Sequence, residues 1–220
     1  MHTEAIYLDD PFVIDDVVYM TPRYRGRYID HRSHLKEKLF FSETKTNTVD
    51  ELVVNKKLEE ISNKIATVCE GDIFREKYAG LSYKKNGSGK SIYVRNLSTG
   101  LKTFVILKML LKNGILEYNG TIILDEPEIH LHPEWQLLFA EIIVLIQKEF
   151  GMHILLNTHS PYFLRAIQVY SAKYAIADKC KYYLSEVKDE QAYILDVTDE
   201  IEKIYQKLSR PLQQLEDERW

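Results

Sequence analysis

Two adjacent carboxylates follow a short apolar stretch in the middle of the chain. Asp125 and Glu126 lie within TIILDEP, residues 121–127, and a second apolar stretch, HILLNT, leads into His159. Ligands of open α/β sheets bind outside the carboxyl ends of the strands. Phosphoryl transfer to water needs Mg²⁺ and a group that orients or deprotonates the water. The pattern is therefore typical of a nucleotide-hydrolysis site, with a solvated pair of carboxylates at a strand end as the alternative.

Asp125, Glu126 and His159 suit different parts of this chemistry. The aspartate at the end of the strand suits Mg²⁺ coordination through water, and the adjacent glutamate can then face the γ-phosphate. A histidine after the neighbouring strand could contact that phosphate or the attacking water. A single histidine in this position is more often structural, but its place beside the carboxylates favours a functional interpretation.

The stretch NLSTGLK, residues 96–102, precedes a predicted helix upstream of these carboxylates. The N-terminus of a helix offers free N–H groups and the positive end of its dipole, which suit a phosphate. Ser98 can add a hydroxyl, Gly100 permits close approach of the backbone, and Lys102 lies one turn into the helix. An ordinary serine-capped helix is the favoured interpretation of this motif taken alone.

The predicted elements around these residues alternate between strand and helix. A strand at 121–125, a helix from Pro133 to Phe150 ended by Gly151, and a strand at 152–157 predict a parallel sheet. Ser160-Pro161 is typical of a helix start. Residues 173–197 indicate two or three strands, followed by a helical tail that Pro211 interrupts.

The N-terminal part of the chain is less regular. Thr48 and Glu51 form a capping box ahead of a helix that Gly71 is expected to close. The basic and aromatic stretch RYRGRYIDHRSH, residues 23–34, is expected to be a loop. Contact with a nucleic-acid backbone is the alternative for this stretch.

Composition limits the possible classes. The chain has 220 residues, is 45% hydrophobic and carries a net charge of −4, so no global feature demands nucleic acid. Cys69 and Cys180 have no metal-ligand spacing. We find no signal peptide and no apolar stretch of membrane-spanning length. These features predict a soluble, cytoplasmic protein.

Three motifs together resemble the ATP-binding head of ABC-type ATPases. LSTGLK, ILDEPEIHLHP and NTHSPYFL occur in the order and spacing of these heads, within about residues 73–170. Among these ATPases, the three motifs most closely resemble those of the RecF/SMC-like and OLD-like bacterial AAA-family proteins of the AAA_21 type. The resemblance implies a P-loop NTPase-like, three-layer α/β fold with a mainly parallel sheet and a small β-hairpin and helical insertion. It also implies ATP and Mg²⁺ as cofactors.

The resemblance assigns roles to individual residues. Asp125 would hold Mg²⁺ in a Walker B motif, Glu126 would be the catalytic base, and His159 would be the switch histidine. ABC-type heads work as head-to-tail dimers in which one signature motif covers the nucleotide of the other protomer. The residues implied to contact nucleotide in trans are Ser98, Thr99, Gly100 and Lys102.

The phosphate-binding Walker A loop of such heads has no convincing counterpart. Gly89, Lys90 and Ser91 follow Asn86-Gly87-Ser88, but Lys84 stands in place of the first glycine of that motif. The residues that follow alternate like a strand, whereas a phosphate loop must open a helix. We therefore predict a β-hairpin over 73–95 with its turn at Asn86-Gly87-Ser88-Gly89, and assign little weight to phosphate contact by Gly89, Lys90 and Ser91.

The resemblance thus implies that the whole chain is one ABC-type ATPase head, incomplete at its N-terminus, and that it acts in DNA transactions or phage defence. It divides into an N-terminal region (1–72), a core with the motifs (73–170) and C-terminal strands and helices (171–220). A truncated product, a split ATPase and a variant without hydrolysis remain open. The expected partner is a second copy or a chain with a Walker A loop, with nucleic acid also possible.

Overall fold

The computed structural model describes residues 4–15, 30–40, 51–76 and 80–218, without the side chains of 51–57. Its strands are β1 (Ala5–Leu8), β2 (Gly71–Glu76), β3 (Gly80–Lys85), β4 (Ser91–Tyr93), β5 (Thr121–Asp125), β6 (His153–Asn157), β7 (Tyr183–Lys188) and β8 (Gln191–Asp196). Its helices are α1 (His31–Phe40), α2 (Glu51–Ala66), α3 (Thr99–Lys112), α4 (Pro133–Phe150), α5 (Pro161–Lys173) and α6 (Glu202–Asp217). Thr48 and the stretch 23–29 lie outside the described residues.

The predicted parallel sheet is confirmed, with the strand order β1-β5-β6. Leu8 pairs with Leu124, and Asp125 pairs with Asn157, so the carboxyl ends of all three strands meet at one edge. Strand β5 is followed by helix α4 and then by β6, which lies beside β5. This is the crossover connection that parallel strands require.

One face of the sheet packs into the core of the protein. Ile122 and Leu124 of β5 are at most 1% exposed, whereas Ile123 between them is partly exposed. Helices α3 and α4 pack together through Phe104 and Phe139, whose rings meet edge to face at a centroid distance of 5.6 Å. Because both helices carry long apolar stripes, their burial holds the sheet and its carboxyl edge in place.

The helix ends around the sheet follow the predicted local signals. Gly151 ends α4 in the left-handed conformation with φ 63°. The Ser160 hydroxyl accepts a hydrogen bond from the Phe163 amide, and Pro161 is the first residue of α5. Asn113 is the C-cap of α3, and its amide donates to the carbonyl oxygens of Leu111 and Met109.

Strands β2, β3 and β4 form a separate antiparallel sheet, which extends the predicted hairpin by one strand. The predicted role of Gly71 at a helix end is wrong, because α2 ends at Ala66 and Gly71 begins β2. A Cβ atom at Gly71 would lie 2.2 Å from the carbonyl oxygen of Lys84 on β3. Close approach of two strands, rather than a helix cap, therefore requires this glycine.

The loop prediction is wrong for residues 31–34, which form the first turn of α1. The Asp30 carboxylate accepts a hydrogen bond from the Ser33 amide, a helix-capping contact. Leu35 and Leu39 are at most 2% exposed. The sequence lacks a clear helical period here, and capping together with burial of these two leucines accounts for the helix.

The C-terminal part contains the hairpin β7–β8 and helix α6. Two strands form within residues 173–197, and antiparallel pairing joins Lys188 to Gln191 across the turn at Asp189-Glu190. Pro211 lies inside α6 without interrupting it, contrary to the prediction. Among the described residues, no helix is long and apolar enough to cross a membrane.

Candidate nucleotide site

Asp125 lies at the carboxyl end of β5 and is held by both neighbouring strands. Its Oδ2 accepts a hydrogen bond of 2.9 Å from the Tyr7 hydroxyl, and its Oδ1 accepts one of 3.1 Å from Asn157 Nδ2. The hydrogen bond to Asp125 raises the pKa of Tyr7, because it stabilises the protonated hydroxyl that donates it. The three strands therefore fix this carboxylate.

The surroundings of Asp125 fit a magnesium ion that is held largely by water and phosphate. Each oxygen of the carboxylate accepts one described hydrogen bond and keeps a further lone pair for a metal-bound water. No cluster of three or more metal-ligating side chains occurs in the part of the chain that the structure describes. Mg²⁺ commonly binds through one or two carboxylates, several waters and substrate phosphates.

Glu126 has an unusual backbone conformation. Its φ angle of 45° lies in the left-handed region, which is costly for a residue with a Cβ atom. The Glu126 amide donates a 3.0 Å hydrogen bond to the carbonyl oxygen of Asn157, which ties the residue to the end of β6. Such strain persists where surrounding contacts enforce it, and it is concentrated at functional sites.

Glu126 and His159 form a pair at the same edge of the sheet. His159 Nε2 lies 3.2 Å from Glu126 Oε1, and the two side chains are 83% and 38% exposed, respectively. The pair thus joins the loop after β5 to the loop after β6 and remains open to solvent. The structure brings together Asp125, Glu126 and His159, as the sequence predicted.

Glu128 and Thr158 link the same two loops beneath the surface. Glu128 is only 4% exposed, and its Oε1 accepts a hydrogen bond from the Thr158 hydroxyl. Thr158 Oγ1 in turn accepts a 3.0 Å hydrogen bond from the Ser160 amide. Sequence reasoning missed this contact, because nothing in the motifs indicates which of their polar residues point inward.

The predicted signature residues lie at the start of α3. Ser98 is exposed and caps the helix, since its hydroxyl accepts a hydrogen bond of 3.4 Å from the Leu101 amide. Thr99 is partly exposed, whereas Gly100 is buried. A Cβ atom at Gly100 would lie 2.9 Å from the carbonyl oxygen of His130. Gly100 therefore permits the loop after β5 to approach α3.

The structure gives Lys102 a different role from the predicted contact with nucleotide. Its side chain is 1% exposed, and its Nζ lies 2.7 Å from Asp15 Oδ2. The ammonium group also donates to the carbonyl oxygen of Arg95 at 3.3 Å and lies 4.7 Å from the centre of the Phe12 ring. Because the charge points into the protein, the predicted contact is wrong for this structure and Lys102 instead joins α3 to the segment after β1.

Gly89, Lys90 and Ser91 lie at the connection between β3 and β4, and β4 begins at Ser91. The Lys90 amide donates to Ser88 Oγ at 3.1 Å, and the Ser91 hydroxyl donates to Glu76 at 3.2 Å. The predicted hairpin turn is confirmed. These residues do not open a helix, so they lack the array of free amides that holds phosphates in a phosphate loop.

Residues 3–165 match the model of a protein family described as "AAA domain, putative AbiEii toxin, Type IV TA system". The match includes Asp125, Glu126 and His159 and covers most of the chain. The fold and site define an α/β protein of the AAA-ATPase class. The chain belongs to this AAA_21 family.

The chain is also similar to curated bacterial proteins. It is 32% identical over 121 residues to a "Retron Vc95 probable ATPase" of Vibrio cholerae serotype O1 biovar El Tor, a match that covers 50% of the chain and 22% of that protein. It is 33% identical over 95 residues to a "Septu protein PtuA" of Bacillus thuringiensis, a match that covers 37% of the chain and 23% of that protein. The matches thus span less than a quarter of these relatives.

Solved structures of SMC proteins show a distant likeness in fold. One comes from work on ATP-driven dimerization and DNA-stimulated activation of SMC ATPases, with a TM-score of 0.44, 14% identity and coverage of 73% of this chain and 95% of the other. Another is an Smc head bound to the C-winged helix domain of ScpA, with a TM-score of 0.46, 14% identity and coverage of 88% of this chain and 51% of the other.

Proposed function

We propose that the chain is part of an ABC-type ATPase head that binds and hydrolyses ATP. The observation that carries this proposal is the contact of 3.2 Å between Glu126 and His159, beside Asp125, at the carboxyl edge of a parallel sheet. Magnesium, when bound there with ATP, would offset the negative charge of the phosphates. Membership of an AAA-domain family supports the same function.

Each residue of the site has a distinct part in the proposed reaction. Tyr7 and Asn157 orient the Asp125 carboxylate toward the metal-bound waters. The Glu126 carboxylate accepts a hydrogen bond from the attacking water and takes its proton. His159 contacts the γ-phosphate, and its contact with Glu126 couples the presence of that phosphate to the position of the base.

We propose that the start of α3 contacts, in trans, the nucleotide held by a second protomer. Ser98 offers its hydroxyl, and the helix N-terminus at Thr99 and Gly100 offers backbone amides to the phosphates of a nucleotide on a second protomer. We exclude Lys102 from these contacts because its ammonium group is buried against Asp15. The proposed assembly is a head-to-tail homodimer or a pair with a different chain.

We further propose that a Walker A loop from another segment or another chain completes the grip on ATP. Parallel sheets are normally covered on both faces. Leu155 on β6 is nevertheless 55% exposed, and Ile123 on the same face of neighbouring β5 is partly exposed. This face is adjacent to the edge that carries Asp125, so a helix packed on it would bring a phosphate loop near the site.

The second candidate function is a non-hydrolysing subunit that pairs with a Walker A-bearing chain. The turn conformation of Gly89, Lys90 and Ser91 favours it, since these residues form no phosphate loop. We place either function in phage defence or DNA transactions, by analogy with the retron and Septu relatives.

The proposal is tested by measuring phosphate release and Mg·ATP binding of the purified chain. The Glu126→Gln variant is compared with a matched control, Glu134→Gln, which lies on the exposed start of α4. We expect Glu126→Gln to lower turnover about 10²–10⁴-fold, the usual contribution of a general base, and to leave ATP binding intact. Turnover that is equal in both variants would refute the catalytic role of Glu126. Binding without turnover in the unmodified chain would support the second candidate.

A further inference from the structure

A groove with a positive lining lies between β7 and α6, in the C-terminal part that the proposed ATP chemistry does not use. The groove is lined by Leu184, Glu186, Val187, Lys188, Lys203, Gln206, Lys207 and Arg210. Four of these side chains are basic and only one is acidic, although the chain as a whole has a net charge of −4. The lining therefore favours an anionic ligand.

Three of the basic residues form a row along one face of α6. Lys203, Lys207 and Arg210 are four and three residues apart, a spacing that places side chains on the same side of a helix. At a rise of about 1.5 Å per residue, the row extends roughly 10 Å along the helix axis. Lys188, at the end of β7, adds a basic group from the opposite wall.

Most of this charge is available to a ligand. Lys207 donates one hydrogen bond to the carbonyl oxygen of Ser185, which leaves further donors on its ammonium group. Lys203 forms an ion pair with Glu200 at the exposed surface, and such pairs are weak. Within the described residues, Lys188 and Arg210 form no ion pair.

An aromatic ring lies on the same face of the β7–β8 hairpin as Glu186 and Lys188, which line the groove. Tyr193 on β8 is the direct cross-strand partner of Glu186, and residues directly opposite one another in a sheet project to the same side. The Tyr193 side chain is 45% exposed, and its hydroxyl donates to Gln191 on its own strand. Its ring thus offers an apolar surface beside the groove.

We propose that this groove binds a single-stranded nucleic acid. Lys188, Lys203, Lys207 and Arg210 contact successive phosphates, and Tyr193 stacks on an unpaired base. A positive groove combined with an exposed aromatic ring is the usual arrangement of proteins that bind single strands without sequence preference. A row of about 10 Å spans only a few phosphates, and a base can stack on the ring only where it is unpaired, so a single strand fits better than a duplex.

Fluorescence anisotropy with a labelled 20-nucleotide oligothymidine tests the proposal on the full chain without ATP. The result is therefore independent of the proposed hydrolysis. We expect the double variant Lys207→Glu/Arg210→Glu to weaken binding at least tenfold. The salt dependence of binding by this variant should also decrease. The slope of the logarithm of the association constant against the logarithm of salt concentration should become shallower by about 0.7 for each lost phosphate contact.

The control Lys85→Glu/Lys112→Glu changes two exposed lysines on β3 and α3 and lowers the net charge by the same amount. It should bind as the unmodified chain does. Tyr193→Ala should weaken binding, whereas Tyr193→Phe and Tyr162→Ala should not, because the former keeps the ring and the latter removes an exposed tyrosine on α5. Circular dichroism confirms that each variant is folded.

Three outcomes would overturn the proposal. The first is no binding of oligothymidine or of the matching oligouridine by the unmodified chain. The second is equal loss of affinity in the control pair, which would show that only net charge matters. The third is tighter binding of a labelled glutamate-rich peptide or of duplex DNA than of the single strand, since the groove would then serve a different partner.

Discussion

At Glu126, the residue proposed as the catalytic base also has a strained backbone. Its φ angle is 45°, and its amide is held by the carbonyl oxygen of Asn157. The left-handed conformation costs a residue with a Cβ atom roughly 1–2 kcal/mol, whereas glycine adopts it readily. Glu126 is therefore expected to lower the free energy of unfolding of the chain, although the proposed chemistry depends on this residue.

We predict that Glu126→Gly is more stable than Glu126→Ala, although neither variant should hydrolyse ATP. Both substitutions remove the carboxylate, so the comparison isolates the backbone. The expected difference in the free energy of unfolding is about 1 kcal/mol, because relief of strain is partly offset by the greater freedom of glycine in the unfolded chain. Urea denaturation measures this difference, and equal stability of the two variants would contradict the interpretation of strain.

Among the secondary-structure elements, the start of α3 and the loop after β5 are in closest contact at Gly100. Because Gly100 has no side chain, the carbonyl oxygen of His130 can approach its backbone closely. A Cβ atom built at this position would lie only 2.9 Å from that oxygen. The loop that passes Gly100 is the one that begins with Glu126. Packing of these two elements therefore connects the predicted signature motif to the predicted Walker B motif within one chain.

We predict that Gly100→Ala destabilises the fold by about 1–3 kcal/mol, the usual cost of inserting a methyl group into a well-packed site. Gly89→Ala is the control, because no atom lies within 4 Å of a Cβ atom built at that position. Thermal unfolding followed by circular dichroism should show a lower Tm for Gly100→Ala and little change for the control. An unchanged Tm in Gly100→Ala would mean that the loop moves away freely.

For the whole molecule, a buried carboxylate joins three helices. Glu141 of α4 is 6% exposed and accepts hydrogen bonds from Lys64 of α2 at 2.8 Å and from Lys173 and Tyr174, at and just beyond the end of α5, at 2.8 and 2.7 Å. Burial raises the pKa of Glu141, but the hydrogen bonds from Lys173, Lys64 and Tyr174 outweigh it and lower the pKa to about 2.

The lowered pKa makes stability depend on pH. Since the ordinary value is 4.5, ionised Glu141 stabilises the folded state above about pH 4.5, and this stabilisation is lost as the pH falls toward 2. We predict that Glu141→Gln lowers the free energy of unfolding by about 1–3 kcal/mol at pH 7, the cost of weakening charged hydrogen bonds. The loss should be smaller at pH 3.

Urea unfolding at both pH values measures this effect, with Glu134→Gln as a control on the exposed start of the same helix. A loss of stability in Glu141→Gln that is the same at pH 7 and pH 3 would show that the carboxylate contributes by packing rather than by its charge.

Much of the fold around the site could be predicted because its signals are local. Alternation of apolar runs and amphipathic stretches predicted β5, α4 and β6, and Ser160 and Gly151 predicted helix ends, since caps depend on a few neighbouring residues. Helix α1 could not be predicted in this way. This helix depends on Asp30 as a cap and on burial of Leu35, which a weakly periodic sequence does not reveal.

The sequence by itself determined that Asp125, Glu126 and His159 would lie at one edge of the sheet, because parallel strands joined by a helix align their carboxyl ends. Only the tertiary structure decided that Lys102 points inward to Asp15 and that Glu128 pairs with Thr158. Both contacts join residues far apart in the chain. The direction of each side chain follows from how helices and loops pack, and no local pattern of residue types encodes that packing.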